Sequence, residues 1–198
     1  TNDIPFIKPD GLYNERIVDL FEAKEYISNA AEGNARVLGR GSILVTCIGT
    51  IGKIGIISCD KMAFNQQINA IIPNENIIHG KYLAYAIQYN KGQLDAIANA
   101  AVVPIINKSQ FEEFSIQIHS DIEVQKRIVS VLDKAQQLIE KRKEQIEACD
   151  ELIKSQFIEM FGDLVSNSKE WKQEILDKHL EIIGGYAFKS DRFVEKGV

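Results

Sequence analysis

Asp121–Asp163 reads DIEVQKRIVSVLDKAQQLIEKRKEQIEACDELIKSQFIEMFGD, with no Pro and no Gly before Gly162. Ile128, Val131, Leu132, Ala135, Leu138, Ile139, Ile146, Cys149, Leu152, Ile153 and Phe157 recur at a, d and e positions of a seven-residue repeat. The phase holds through about four heptads, which predicts one long helix of coiled-coil type over 121–161. Gly162 is a fitting stop. Forty or so residues at about 1.5 Å each make a rod of roughly 60 Å. One small domain cannot bury such a stripe along its whole length, so the pattern calls for a second long helix. The chain contains no other run of this kind, and we expect the partner helix to come from a second chain or a missing repeat. The competing expectation is a helix folded back onto residues 1–120.

Residues 1–120 differ in kind. GSILVTCIG and GKIGIIS are short β-branched runs punctuated by glycine, and QINAIIP is a third, ended by Pro73. GKYLAYAIQYNKGQLDAIANA has helical spacing at Leu83, Ile87, Leu94 and Ile97. In AAVVPIIN, Pro104 blocks a helix and restores extended character. The fold class is therefore α+β, a mixed α/β domain followed by one long helix. In 162–198, Trp171, Ile175, Leu176, Leu180 and Ile183 fit a short amphipathic segment ended by Gly184-Gly185. GGYAFKSDRFVEKGV then reads as the start of a folded region, with Tyr186, Phe188 and Phe193 in it.

The chain has 198 residues, 45% of them hydrophobic, and a net charge of −5. No apolar run is long enough to cross a bilayer and no signal segment opens the chain, so a cytoplasmic protein with no membrane partner is expected. Cys47, Cys59 and Cys149 are widely spaced and read as reduced thiols; with His79, His119 and His179 scattered singly, neither a metal nor a cofactor is expected. The acidic total argues mildly against nucleic acid. Yet between Gly33 and Ile72 the cations Arg36, Arg40, Lys53 and Lys61 face only Asp60, which permits a local positive patch.

GTIGKIG (Gly49–Gly55) matches neither a P-loop nor the dinucleotide fingerprint. From the pattern alone a tight glycine turn between strands leads. The sharper reading is a turn that brings Lys53 and backbone N–H groups to a DNA phosphate. FNQQINA sets Asn65, Gln66, Gln67 and Asn69 together; amides pair bidentately with adenine, and polar turns use them too. In a strand Asn65, Gln67 and Asn69 would share a face opposite Gln66. In PIINKSQFEEF, Ser109 followed by Glu112 fits a helix capping box, and Lys108 beside it could hold a phosphate. No nucleophile-and-base arrangement stands out, so no catalysis is expected.

In their order, GSILVTCIGTIGKIGI, FNQQINAIIP, VPIINKSQFEEFSIQI and the long-helix segment with its Met-Phe-Gly-Asp ending resemble the specificity subunit of type I restriction–modification systems. The resemblance covers nearly the whole chain. It implies a non-catalytic subunit with two repeats, each a target-recognition domain followed by a long helix. The two helices pack antiparallel and hold the domains on the halves of a split double-stranded DNA target. Such a subunit places adenine methyltransferase (modification) subunits, and through them the motor-nuclease (restriction) subunit. By the same resemblance, 1–120 is a recognition domain lacking its usual N-terminal part, 121–161 a spacer and dimerisation helix, and 162–198 the start of a recognition domain. That start would complete 1–120 in the same or a partner chain, a circularly permuted order. Two arrangements stay open, a half-size protein forming a homodimer and a piece of a two-repeat subunit. The expected DNA contacts are Lys8, Thr46, Thr50, Lys53, Gln66, Gln67 and Lys108, with Lys53 and Lys108 on phosphates and Gln67 reading a base. The rival readings are a coiled-coil adaptor, and a regulatory decoy that binds methyltransferase subunits without reading DNA.

Overall fold

The computed structural model describes residues 3–98, 103–163, 165–187, 189 and 193. They divide into two units, 1–142 and 143–198, taken separately below.

The first unit carries two four-stranded sheets. β1 (Ile4–Ile7), β2 (Val18–Leu20), β3 (Glu25–Ile27) and β4 (Val37–Leu38) precede the three runs read from the sequence. Those runs form β5 (Ile43–Thr46), β6 (Ile54–Ile57) and β8 (Ile68–Ile71), and β7 (Met62–Phe64), which the sequence did not mark, lies between the last two. One sheet has the order β3-β1-β7-β4 and the other β2-β6-β5-β8. Two pairings are parallel, β1 with β7 and β2 with β6, and each joins strands far apart in the chain.

β5 shows why the second sheet lies at the centre. Alternate side chains of a strand point to opposite faces, and here both faces are buried. Ile43 and Val45 join Ile54, Ile56, Ala84, Ile87 and Leu94 in one core, beneath α1 (Gly80–Tyr89) and α2 (Lys91–Ile97). Leu44 joins Ile7, Leu12, Leu20, Ile57 and Met62 in the other, on the side of the first sheet. The helical stretch expected after Gly80 is thus two helices. Asn90 ends the first and leads into the second, its side chain donating to the Ala86 carbonyl at 2.8 Å. The extended character expected at Pro104 survives as a single bridge from Ile105 to Ile48.

One open alternative is resolved and one local expectation corrected. Residues 65–67 form a turn rather than strand: the Gln67 N–H donates to Asn65 Oδ1 at 2.5 Å, a side-chain mimic of a backbone turn. The capping box before α3 (Lys108–Glu112) uses Asn107 and Gln110 instead of Ser109 and Glu112. Asn107 Oδ1 accepts from the Gln110 N–H at 2.9 Å, and Gln110 Oε1 accepts from the Asn107 N–H at 3.0 Å.

The long helix is α4 (Ile122–Phe161). Asp121 Oδ1 caps it by accepting from the Glu123 N–H at 2.8 Å. Its first half docks on the domain through polar residues. Gln125 is fully buried; its Oε1 accepts from the His79 N–H at 2.8 Å, and its Nε2 donates to the His119 carbonyl at 2.6 Å and the Ile77 carbonyl at 3.4 Å. Two turns on, Asp133 accepts from the Tyr85 hydroxyl at 2.7 Å and pairs with Lys81 at 3.1 Å. Glu140 accepts from Arg16 at 3.1 Å, and that guanidinium also lies over the Tyr13 ring at 4.9 Å. With the buried Val129 these residues make one seam. At about 100° per residue, it lies about 120° around the helix from the apolar stripe. The stripe stays open: all eleven of its residues are exposed, its large side chains from 37% at Ile128 and Leu132 to 67% at Ile153. The helix therefore does fold back onto its domain, as the competing expectation held, but by a face other than the stripe.

In the second unit α4 ends at Gly162, whose φ of +78° suits glycine. The Trp171 indole N–H donates to the Phe161 carbonyl at 2.7 Å, and the Lys169 ammonium donates to the Glu159 and Met160 carbonyls. These donors satisfy carbonyls that a helix end leaves without partners. Beyond them the expected amphipathic segment has only a 3-10 turn at Leu176–Lys178 as regular structure, and Ile175, Leu176, Leu180, Ile183, Tyr186 and Phe193 are exposed. Phe188 and residues 194–198, part of the expected new domain start, lie outside the described residues.

Candidate nucleic-acid interface

The three motifs flagged in the sequence are brought together through one residue. The Cys47 N–H donates to the Gln67 carbonyl at 2.9 Å, and the Cys47 carbonyl accepts from the Ile106 N–H at 2.9 Å. Next to it the Gly49 N–H donates to the Pro104 carbonyl at 2.9 Å. The glycine turn, the amide turn and the strand before Lys108 are therefore bonded side by side. The Asn65 N–H adds the end of β1 by donating to the Ile7 carbonyl at 3.1 Å, beside Lys8. Gly49 and Gly52 both have φ of +77°, the left-handed conformation that lets the β5–β6 turn close.

Thr46 is the sequence-chosen residue that the fold removes from the surface. It is fully buried, its hydroxyl donating to the Thr50 carbonyl at 2.5 Å and accepting from the Lys53 N–H at 3.0 Å. It closes the turn and offers nothing to a partner. Thr50 stands exposed at the tip. Lys53 is half-buried, with its ammonium on the Pro9 carbonyl at 3.3 Å. Lys8 pairs with Glu25 at 2.6 Å and Lys108 with Glu112 at 3.4 Å. Exposed pairs of this kind are weak, and a phosphate can displace the carboxylate.

Gln66 and Gln67 part company. Gln66 is exposed and lines a cleft of about 510 Å³ with Phe6, Asn34, Arg36, Asn65 and Asn69. Gln67 is half-buried, its backbone engaged on both sides. Asn69 carries the one buried side-chain polar atom, among the described residues, that has no hydrogen-bond partner, its Nδ2. Of the basic patch, Arg40 pairs with Asp60 at 3.4 Å and Lys61 with Glu32 at 2.5 Å. Arg36 is exposed on the cleft wall and has no ion-pair partner among the described residues. The sequence marked Arg36 only as a member of the patch; a lone cation beside a cluster of amides is visible only in three dimensions. A second, apolar groove of about 870 Å³ shares the Arg36 and Asn69 wall and runs between β4, β8, α1 and α3, with Lys108 on its rim.

The thiol at the junction is buried. Burial pushes the Cys47 thiol up to about 11, and the nearby Asn69 amides offset part of that. Among the described residues no group of three or more His, Cys, Asp or Glu side chains is placed to hold a metal ion. No described helix is long and apolar enough to cross a membrane.

Two small sheets thus carry amide- and cation-bearing turns, and a long helix docks on them by a polar seam. Residues 1–148 match the family described as type I restriction modification DNA specificity domain, and the chain belongs to that family. It is 30% identical over 165 residues to the MjaIX specificity subunit of Methanocaldococcus jannaschii, covering 79% of this chain and 38% of that protein. It is 28% identical over 138 residues to the HindI specificity subunit of Haemophilus influenzae, covering 67% of this chain and 30% of that protein. The chain thus spans about a third of the length of these relatives. Solved structures share the fold. The S subunit of a type I system from M. genitalium superposes with a TM-score of 0.52 at 18% identity, over 99% of this chain and 54% of that one. A chain from a structure on the assembly and conformational transition of the type I system gives 0.60 at 19% identity, over 78% and 36%.

Proposed function

We propose that this chain is a sequence-specific DNA-binding specificity subunit, itself non-catalytic and cytoplasmic, that positions adenine methyltransferase and restriction subunits on a split target. The observation that supports this most is the cleft holding exposed Arg36 and Gln66 with Asn65 and Asn69, built on turns locked together at Cys47. Amides and arginine are the side chains that read base edges bidentately, and a turn fixed by backbone bonds holds them in register. Lys8, Thr50, Lys53 and Lys108 surround this region as phosphate contacts, Gln66 and Gln67 face bases, and Thr46 holds the turn from within. The exposed stripe of α4 serves the second half of the reading, a homodimer whose two domains meet the two half-sites. Residues 1–120, 121–161 and 162–198 then act as recognition domain, spacer helix and the opening segment of a recognition domain.

The stripe equally suits a protein partner alone, and this favours the adaptor or decoy as the second reading. Selection of bound duplexes from a random library, with the modification subunits present, separates the two. Salt-dependent binding with an enriched split sequence is expected. Co-purification with a methyltransferase and no enrichment would overturn DNA reading.

A further inference from the structure

Residues 1–120 hold ten Lys and Arg side chains, and the fold neutralises nearly all of them. Eight lie within ion-pair distance of a carboxylate, and Lys53 lies on the Pro9 carbonyl. Arg36 has neither kind of partner among the described residues, and its side chain is exposed. One uncompensated cation in a domain that pairs the rest is a charge left for something else.

The register of the first sheet shows where that charge stands. β1 and β7 run parallel with Ile7 opposite Phe64, and β4 runs antiparallel to β7 with Val37 opposite Ala63. β3 runs antiparallel to β1 with Glu25 opposite Phe6. Glu25 at the start of β3, Lys8 after β1, Asn65 and Gln66 after β7 and Arg36 before β4 therefore share one end of the sheet. In the strand order β3-β1-β7-β4 that end reads Glu25, Lys8, the two amides, Arg36. Glu25 neutralises Lys8 at 2.6 Å, while the cation beside the edge strand β4 stays free. The cleft there is lined by four amide residues, Asn34, Asn65, Gln66 and Asn69, and by no carboxylate and no second cation among the described residues. Asn65 Oδ1 is committed to the Gln67 N–H, and Asn34 and Gln66 are the exposed amides.

We propose that Arg36 reads a guanine in the major groove, so that the half-site bound by this domain carries a G·C pair at that position. It rests on the DNA-reading part of the proposed function and assigns that reading one base. A guanidinium offers donors alone. Guanine is the base whose major-groove edge sets two acceptors side by side, N7 and O6. Adenine sets an amino donor beside its N7, cytosine shows a donor, and thymine shows one acceptor beside a methyl group. A carboxylate in the cleft would compete for the same donors, and none lines it. A phosphate accepts from arginine too, but it favours gathered positive charge. This cleft instead surrounds one cation with amides, the groups that base edges pair with. The groove, about 12 Å wide, admits a two-stranded ribbon, and the β4–β7 end, with strands about 4.8 Å apart, fits within it.

Selection of bound duplexes from a random library, run on this chain with the modification subunits present, tests the assignment. The native chain should enrich a half-site with an invariant G·C pair. Arg36→Ala should lose preference at that pair alone, its affinity for the native site falling about 5- to 150-fold while the other positions keep theirs. Arg36→Gln should move the preference at the same pair toward A·T, because a glutamine amide matches the adenine edge. Both variants change an exposed side chain and should keep the native urea midpoint. Equal weakening of every sequence by Arg36→Ala, with the salt slope reduced by about one, would make Arg36 a phosphate contact and overturn the proposal. Unchanged selection by both variants would overturn it as well, and so would relaxation at an A·T pair. Those three results leave DNA reading standing, since the native chain still enriches a site. A native chain that enriches no sequence removes the DNA-reading function and the guanine contact with it.

Discussion

Gln125 looks in the sequence like any solvent-facing glutamine on a charged helix, since its three hydrogen bonds go to backbone groups of residues 77–79 and 119 that no local pattern connects to it. Gln125→Leu keeps the volume and leaves the His79 N–H and the His119 and Ile77 carbonyls without partners in a buried site. The expected cost is about 2–4 kcal/mol, read as a lower urea midpoint. Thr46 is the mirror-image case. A threonine beside a glycine turn suits phosphate contact, but its position ending a strand buried on both faces turns it inward. Cys47 carries a pH signature. Its thiol is pushed from 9.0 to about 11 by burial, so the folded chain holds the proton more tightly than the unfolded one. The stabilisation is complete below about pH 9 and disappears as pH rises through about 11. Relative to Cys47→Val, the native chain should lose urea midpoint between pH 8 and pH 10.5. Equal pH dependence of the two chains would contradict the assignment. At pH 8 Cys47 should react with a disulfide reagent only on unfolding.

At the scale of elements, legibility followed the range of the interaction. Strands β5, β6 and β8 and helix α4 were readable because β-branched runs, glycine turns and heptad spacing act within ten residues or so. The break at Asn90 and the Asn107 box were missed because they turn on single side-chain hydrogen bonds inside otherwise helical spacing. The docked face of α4 was missed because Gln125, Asp133 and Glu140 are the residue types that usually solvate a helix. The proposed division of labour, polar seam to the domain and apolar stripe to a second copy, gives a clean prediction. Val131→Glu together with Leu138→Glu should abolish self-association and raise the apparent dimer dissociation constant at least a hundredfold, since like charges enter a seam that has to exclude water. The recognition domain's own unfolding midpoint should stay within about 0.5 kcal/mol, as neither side chain touches the polar seam. Sedimentation reads the first and circular dichroism the second.

For the whole molecule, the strand order was beyond sequence reading, because β1 with β7 and β2 with β6 are parallel pairs joined by long stretches of chain. Their consequence is the shared end where the turns at Cys47, Asn65 and Pro104 are bonded, and it turns three separate motifs into one surface. The candidate site was thus legible in its parts and not in its assembly: Gln66 and Lys53 were named, while Arg36 emerged only when the cleft formed around it. The spacer reading is argued at this scale. In the proposed homodimer each domain grips its own helix between Gln125 and Glu140, so the helix sets how far the two domains stand apart. Four residues inserted after Arg142 lengthen the helix by one turn, about 6 Å or nearly two base pairs, and leave the stripe facing inward, about 40° further round. Selection of bound duplexes, or the methylation pattern of cells that carry the chain with its modification subunits, should then show the same two half-sites with the gap widened by one or two base pairs. An unaltered gap with intact half-sites would refute the helix as the ruler, and loss of half-site preference would mean that the domains depend on the helix for more than their spacing.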